Sequence, residues 1–590
     1  MCGIVGKVSF GTPVDPTEFN AMRDTLSHRG PDGYGSEFLA AGRVALGHRR
    51  LSILDLSEAG RQPMTNEDGR IWLTFNGEIY NYPELRDELL RAGHAFRSHS
   101  DTEVLIHGYE EWGLPALLGR LRGMFAFGLW DDHRQELFVV RDRFGIKPII
   151  YYSDRERFVF ASEIKACTRD PDLSLSLDED ALADYFIYSY IPHPRTVWRG
   201  LHKLRPGHYL RVGLGDGKVT QHRYWKPEPG YRRLRPEEAT EEANARLRRA
   251  VTEHLVSDVP VGVFLSGGYD STSVLMHMHD AGRTPDSFSL GFAGSERSEH
   301  HAAAAIAEGF GSRHHARLLN ADDELFPLVE RLVAHYDEPF AVSSQLTYHH
   351  VSELAARTHK VVLSGDGGDE VFAGYTWYAG LAEERLRWKR YARALLGRRS
   401  LRDQTTDSYG RRMTGVGGYL GRRQEVSPDL RRRIRERSYG YFEQHYPRGR
   451  GLVKNVQQLD VDTFLLDNCL QRADMSSMLH SLEVRVPFLD HTLFEWVYSL
   501  HPSVYFSPQE PKQLIRRNLR GRVDDAVLAR AKQGFGFQHR NQLLGPGYAA
   551  FVNGGELRRR GLLVRDLDFS TLNGEMAFHF VFLEQWLRTH

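Results

Sequence analysis

Cys2 directly follows the initiator methionine, so removal of Met1 places a thiol and a free α-amine on one residue. Such a pair can act as nucleophile and base, because a thiolate attacks even when partly populated and an amine titrating near neutrality can relay its proton through water. The run Cys2-Gly3-Ile4-Val5-Gly6 is equally compatible with a core thiol in a first strand. Two glycine loops farther along suggest phosphate chemistry. The first, Ser266-Gly267-Gly268-Tyr269-Asp270-Ser271, lies between an apolar strand and a helix start, where consecutive N–H groups form an anion nest. Asp270 would repel a phosphate unless it held a cation, which points to magnesium bridging carboxylate and phosphate oxygens. The second, Ser364-Gly365-Asp366-Gly367-Gly368-Asp369-Glu370, crowds three acids into five residues and requires a metal or another cation. Asp270 and Asp369 are therefore candidate magnesium ligands, and Asp366 could orient a reacting group or a neighbouring lysine.

The elements that must hold these residues differ between the two halves. From residue 2 to about 210, short apolar alternations such as Ile71-Trp72-Leu73-Thr74-Phe75 and Leu137-Phe138-Val139-Val140 alternate with turn residues, and helical patterns cover 82–92 and 103–112. These features predict sheets with covering helices. Residues 121–127 read as a core strand. Residues 211–240, with Gly213 to Lys218 and Lys226-Pro227-Glu228-Pro229-Gly230, read as hairpin and linker. No apolar strand enters Gly213–Lys218 and Val219 follows it, so it is not a phosphate loop. From 241 to 590, strands at 259–265, 286–291 and 361–363 alternate with helices, which predicts a parallel α/β sheet whose strand-end loops share a crevice. The run Arg431-Arg432-Arg433-Ile434-Arg435 has few nearby acids and reads as a solvated helical face.

A chain of 590 residues exceeds one ordinary core, so two or more domains are expected. Lys plus Arg equals Asp plus Glu, 77 each, which removes an electrostatic case for nucleic acid or an anionic membrane. Three unpaired cysteines and the absence of a leader pattern or long apolar run lead us to expect a reducing cytoplasm, no secretion and no membrane span. The pairs His314-His315 and His349-His350 lack metal-ligand spacing and read as packing or surface residues.

With these residues in hand, the chain resembles the glutamine-hydrolysing asparagine synthetases over nearly its whole length. The resemblance rests on Cys2-Gly3-Ile4, His28-Arg29-Gly30-Pro31-Asp32, Arg50-Leu51-Ser52-Ile53, Phe75-Asn76-Gly77-Glu78, Ser100-Asp101-Thr102-Glu103 and Asp142-Arg143-Phe144-Gly145, then both glycine loops and Leu482-Glu483-Val484-Arg485-Val486-Pro487-Phe488-Leu489-Asp490, in that order. It implies an α+β N-terminal-nucleophile hydrolase sandwich (αββα) over 2–210, a linker over 211–240, and an α/β ATP-pyrophosphatase domain with helical C-terminal elaboration over 241–590. It further implies that Cys2 attacks glutamine, that Asn76 and Gly77 form the oxyanion hole, and that Arg50, Ile53, Glu78 and Asp101 also bind the substrate. In the second site it places ATP on Phe264, Ser266, Gly267, Gly268, Asp270, Ser271, Leu290, Ser364 and Gly365, Mg2+ on Asp270 and Asp369, and catalytic roles on Asp366 and Lys512. The implied reaction is amidation of aspartate through an acyl adenylate, giving asparagine, AMP and pyrophosphate. Ammonia would travel along a shielded apolar path. The implied partners are glutamine, ATP and aspartate or another carboxylate, and a homodimer is compatible with the family.

Departures are Tyr269 where the family carries leucine, Met475 where a basic residue is common, and the stretch Phe340-Ala341-Val342-Ser343-Ser344-Gln345. Val342 and Gln345 leave open a different carboxylate acceptor in a specialised pathway. A β-lactam-synthetase-like cyclising enzyme is the other alternative, although those relatives lack a working N-terminal cysteine.

Overall fold

The computed structural model describes residues 2–294, 298–320, 325–386, 401–413, 417–447, 449–529 and 540–590. The N-terminal strands are β1 (Gly3–Ser9), β2 (Gly33–Leu39), β3 (Val44–Arg50), β4 (Met64–Thr65), β5 (Ile71–Ile79), β6 (Gly123–Asp131), β7 (Glu136–Arg141), β8 (Ile150–Ser153), β9 (Arg157–Ala161), β10 (Leu201–Lys203), β11 (His208–Gly213) and β12 (Val219–Arg223). They pair into two six-stranded sheets, ordered β10-β8-β9-β1-β3-β2 and β12-β11-β7-β6-β5-β4, and every pair is antiparallel.

Side-chain alternation sets the layers. Ile4 and Val8 of β1 meet Ala126, Trp130 and Val139 of the facing sheet. Val5 points the other way, onto Phe19 and Met22 of the helix Pro16–Asp24. The outer face of the second sheet packs Phe75 and Phe127 against Leu89 and Leu105 of the helices Tyr82–Ala92 and Thr102–Arg120. This is the expected helix–sheet–sheet–helix sandwich. The helix predicted over 103–112 ends there, because Gly113 takes a non-helical φ of 72°, and a second helical piece containing Pro115 follows to Arg120.

The C-terminal half is built on a parallel sheet of β13 (Val261–Phe264), β14 (Asp286–Phe292), β15 (Arg313–Leu319), β16 (Val361–Leu363) and β17 (Glu483–Arg485), ordered β15-β14-β13-β16-β17. Strand order reverses at β13, so the loops after β13 and β16 open into one crevice. The helical elaboration ends in Gly574–Thr589, which buries Phe578, Phe582 and Trp586.

Two expectations need correction. The stretch 211–240 is not linker from its start, because β11 and β12 complete the edge of the second sheet, and the connection proper runs from Tyr224 to the helix Pro236–His254. The arginine-rich helix Pro428–Arg437 is solvated on one face only. Arg433 pairs with Asp180 and Glu179 at 2.7 Å, and Arg437 pairs with Asp184 at 2.6 Å, all on the helix Glu179–Tyr188 far back in the sequence.

The two halves share buried charge. Arg29 is fully buried and donates to Glu163 at 2.7 Å in its own half and to Asp474 at 2.8 and 3.1 Å in the other. Lys165 lies 3.2 Å from Asp337, and Lys203 pairs with Glu338 at 2.5 Å. Removing one partner of such a pair strands the other charge in a low dielectric. Arg29→Ala should therefore destabilise the protein by about 3–5 kcal/mol, measured as a lower urea midpoint. Arg29→Lys should recover only part of this, since an ammonium cannot reproduce the fork on Asp474.

Candidate active sites

Cys2 leads into β1 beside Asn76 of β5, and the Cys2 backbone N donates to Asn76 Oδ1 at 2.9 Å. Met1 lies outside the described residues, so this N–H marks where the α-amine of the processed chain stands. The contact orients the Asn76 amide. Asn76 Nδ2 is left buried without a hydrogen-bond partner, an available donor for a developing oxyanion. Cys2 keeps partial exposure, while desolvation pushes its thiol pKa up against the lowering effect of nearby positive charge, so the resting form is the thiol.

Gly77 follows Asn76 and faces Phe125 across the ladder. A Cβ there would lie 2.1 Å from the Met124 carbonyl oxygen and 2.7 Å from Phe125 Cα. Only glycine permits β6 to approach this closely.

Glu78 and Asp101 form a second cluster next to the thiol. Arg485 of β17 donates to Glu78 Oε2 at 2.8 Å, Glu78 Oε1 is buried without a partner, and Ile79 N donates to Asp101 Oδ2 at 2.8 Å. Burial pushes the Glu78 carboxyl up, Asp101 adds to the shift and Arg485 opposes it. Asp101 is raised to about 6, chiefly by burial. Together with Glu483, which Arg485 also contacts at 2.6 Å, three carboxylates surround one guanidinium. Burial opposes it, but the α-amine, Arg485 and Lys147 hold the Glu483 carboxyl low at about 2, whereas Glu78 and Asp101 stay raised.

Arg50 is held by the carbonyls of Ser57, at 2.8 Å, and Asp55. Its guanidinium therefore lies along the 54–57 loop. Ile53 is not brought into the cluster through its side chain, which packs with Leu51 on Val361 of β16. Any contact it makes with a ligand falls to its main chain.

The second site is a cleft of about 670 Å3 at the strand-order reversal. All of its expected residues, from Phe264 and Leu290 to the two glycine loops and Lys512, line it. The loops touch: a Cβ on Gly365 would lie 2.8 Å from Ser271 N and 2.9 Å from Asp270 Cβ. Gly267 takes φ 75° and Gly268 caps the helix Tyr269–Asp280, so N–H groups point into the cleft.

Lys512 is buried, and its Nζ bridges Asp270 and Asp369, 2.7 Å from the latter. Burial alone would lower its pKa, but the two carboxylates raise it. Both acids thus converge on one cation position, as a shared divalent ion requires. Of the two roles open to Asp366, orienting a reacting group or a lysine, the lysine partner falls away, since Lys512 goes to Asp270 and Asp369. Asp366 instead accepts from Tyr348 at 2.8 Å, Ser364 at 2.7 Å and Arg472 at 3.2 Å, because the loop turns it away from Asp369.

Arg472, Arg29 and Arg485 went unassigned in the sequence reading. Arg472 lines the cleft and also donates to Ser344 at 2.9 Å. Val342 lines the same cleft, whereas Gln345 turns inward, its amide donating to the Phe340 carbonyl at 2.6 Å. His314 packs between Ser287 and Ser289, at 2.9 Å each, as its packing reading anticipated.

The chain matches the family model for a glutamine amidotransferase domain over residues 1–225 and that for asparagine synthase over residues 242–566. It is 32% identical to asparagine synthetase [glutamine-hydrolyzing] 1 of Bacillus subtilis, covering 91% of this chain and 87% of the relative. It is 34% identical to a putative asparagine synthetase of Mycobacterium bovis, covering 86% and 82%. Among the described residues no helix is long and apolar enough to cross a membrane.

Because its Cβ has no room, Gly77→Ala should force β5 and β6 apart and cost about 1–3 kcal/mol. The expected result is a lower denaturant midpoint with the Cys2 site displaced.

Proposed function

The chain belongs to the glutamine-hydrolysing asparagine synthetases, and on that premise we propose that it transfers ammonia from glutamine to aspartate at the expense of ATP. The observation that carries the reading is the pairing of Cys2 N with Asn76 Oδ1, which leaves Asn76 Nδ2 as a buried donor.

In this reading Cys2 Sγ attacks the glutamine carboxamide carbon while the α-amine takes the thiol proton and passes it to the departing nitrogen. A C–S bond forms, the C–N bond breaks, and ammonia leaves a glutamyl thioester that water hydrolyses. Asn76 Nδ2 and the Gly77 N–H hold the oxyanion. Glu78 and Asp101 receive the substrate ammonium, and the Arg50 fork receives its carboxylate.

In the cleft, a carboxylate oxygen attacks the α-phosphorus of ATP and pyrophosphate leaves. Ammonia then attacks the acyl carbon and releases AMP. The 266–271 loop would hold pyrophosphate, and Asp270 and Asp369 would hold Mg2+, which when bound neutralises phosphate charge. Lys512 stands ready to follow the phosphates as that charge develops. Arg472 lies beside Asp366 and Ser344 and supplies a guanidinium for the acceptor.

A cavity of about 60 Å3 lies between the halves, lined in part by Ile146, Ile149, Leu466 and Leu470. It would form part of the shielded route for ammonia. The helical stretch that lines it also presents Cys469 and Arg472 to the cleft.

Cys2→Ala should abolish glutamine use while leaving aspartate-dependent pyrophosphate release from added ammonia. Equal loss of both would contradict two separate sites. Glutaminase activity in the wild type with no pyrophosphate release on adding aspartate would point to another carboxylate acceptor.

Asp101 must be ionised to receive an ammonium. Its carboxyl is raised to about 6, so the charged form is lost as pH falls through that value. The α-amine base limits glutamine kcat/KM from nearer neutrality, so protonation of Asp101 should add a further loss as pH falls through about 6 and steepen the acid limb there. Asp101→Asn should lower the maximum and remove the added steepness near pH 6, leaving the limb set by the α-amine.

A further inference from the structure

Away from both active sites, the helix Thr102–Arg120 carries His107 and Glu110 one turn apart on a common face. His94 approaches them from the turn that ends the helix Tyr82–Ala92. One ring nitrogen of each histidine faces the same oxygen: His107 Nδ1 lies 2.9 Å and His94 Nδ1 3.9 Å from Glu110 Oε2. The other nitrogen of each faces a separate carboxylate. His94 Nε2 is 3.2 Å from Glu111 Oε2, and His107 Nε2 is 3.6 Å from Glu103 Oε1 and 3.9 Å from Glu67 Oε1. Asn66 Nδ2 donates to Glu110 Oε1 at 2.7 Å, which leaves Oε2 turned toward the two rings.

This pattern is the one metal sites use, with a ligating ring nitrogen inside and its second N–H directed at a carboxylate outside. The three ligand atoms lie within 4.8 Å of one another. His107 is only 1% exposed, and its Nε2 lacks a hydrogen-bond partner with good geometry. Burial would lower the His107 pKa, but Glu103, Glu110 and Glu67 raise it to about 9, so metal binding would displace that proton. No Lys or Arg ion pair neutralises Glu67, Glu103, Glu110 or Glu111 among the described residues. Two other histidine clusters differ on this point. At His349, His350 and Glu353 the carboxylate is taken by Arg317 at 2.6 Å, and at His28, Glu163 and His335 it is shared by Arg29 and Lys165.

We propose that His94, His107 and Glu110 bind one divalent transition-metal ion of the zinc class, with water completing a tetrahedron. Two imidazoles and one carboxylate form a known zinc donor set, and nitrogen ligands discriminate against magnesium. The ion would pin the turn after the helix Tyr82–Ala92 to the helix that begins beside Asp101.

The test is calorimetric titration of the chelator-treated full-length protein with zinc chloride, alongside cobalt(II) absorption as a report of tetrahedral nitrogen ligation. We expect one equivalent in the wild type that is lost in His94→Ala and in Glu110→Gln, and affinity about tenfold or more weaker in Glu111→Gln. His94 is half-buried, and among the described residues its ring pairs only with Glu110, Glu111 and His107, so His94→Ala is expected to fold with at most a small change in metal-free melting temperature and serves if the Glu110 variant does not fold. Zinc stoichiometry and affinity unchanged in a folded His94→Ala protein would overturn the proposal. So would the absence of a tetrahedral cobalt spectrum in the wild type.

Discussion

The buried guanidinium of Arg485 is the constraint on which both active sites depend. It donates to Glu78 of β5, to Glu483 of its own strand, and to the carbonyls of His254 and Val256. Its main-chain carbonyl accepts from Ser364 N at 2.9 Å, the first residue of the acidic loop. Desolvating such a charge costs several kcal/mol, and the cost is offset only when the surrounding acceptors are correctly placed. The halves are thereby held in one relative position to within hydrogen-bond tolerance. Arg29 repeats the device on the thiol side, joining the Cys2 carbonyl at 3.2 Å to Glu163 and Asp474.

This arrangement gives the two sites opposite electrostatic settings. At the first, Glu78 and Asp101 have carboxyl groups raised by burial, while Glu483 is held low against burial by the α-amine, Arg485 and Lys147. At the second, Lys512 neutralises two aspartates beside a nest of N–H groups. Arg472 adds a third setting, a guanidinium whose carboxylate neighbour Asp366 is itself held by Tyr348 and Ser364.

Much of this was legible in the chain itself. The strand β16 begins and ends where its apolar run does, and the helices Tyr82–Ala92 and Pro236–His254 follow their apolar period closely. Both glycine loops sit where strand-then-helix spacing puts them, because turn chemistry and periodicity are local properties. The hairpin around Gly213–Lys218 is legible, but not that its strands β11 and β12 extend the second sheet with β12 at its edge, because the alternation of β12 is weak. β12 has no buried residue, and its polar face signals loop as readily as strand. The partners of Arg433 and Arg437 were invisible because about 250 residues separate them from Asp180 and Asp184.

The sequence by itself determined which reactive groups exist and what backbone each rides on: a thiol at the N-terminus, an Asn-Gly pair in a strand, and two acid-bearing glycine turns at strand ends. Short-range sterics and hydrophobic period suffice for that. Only the tertiary structure decided which charge meets which. Lys512 bridges Asp270 and Asp369 while Asp366 turns to Arg472, Glu78 faces Arg485, the Ile53 side chain packs on Val361 of the other half, and His94 meets His107 over Glu110. These pairings follow from how two sheets and their helices pack, and packing brings together residues whose separation along the chain carries no local signal.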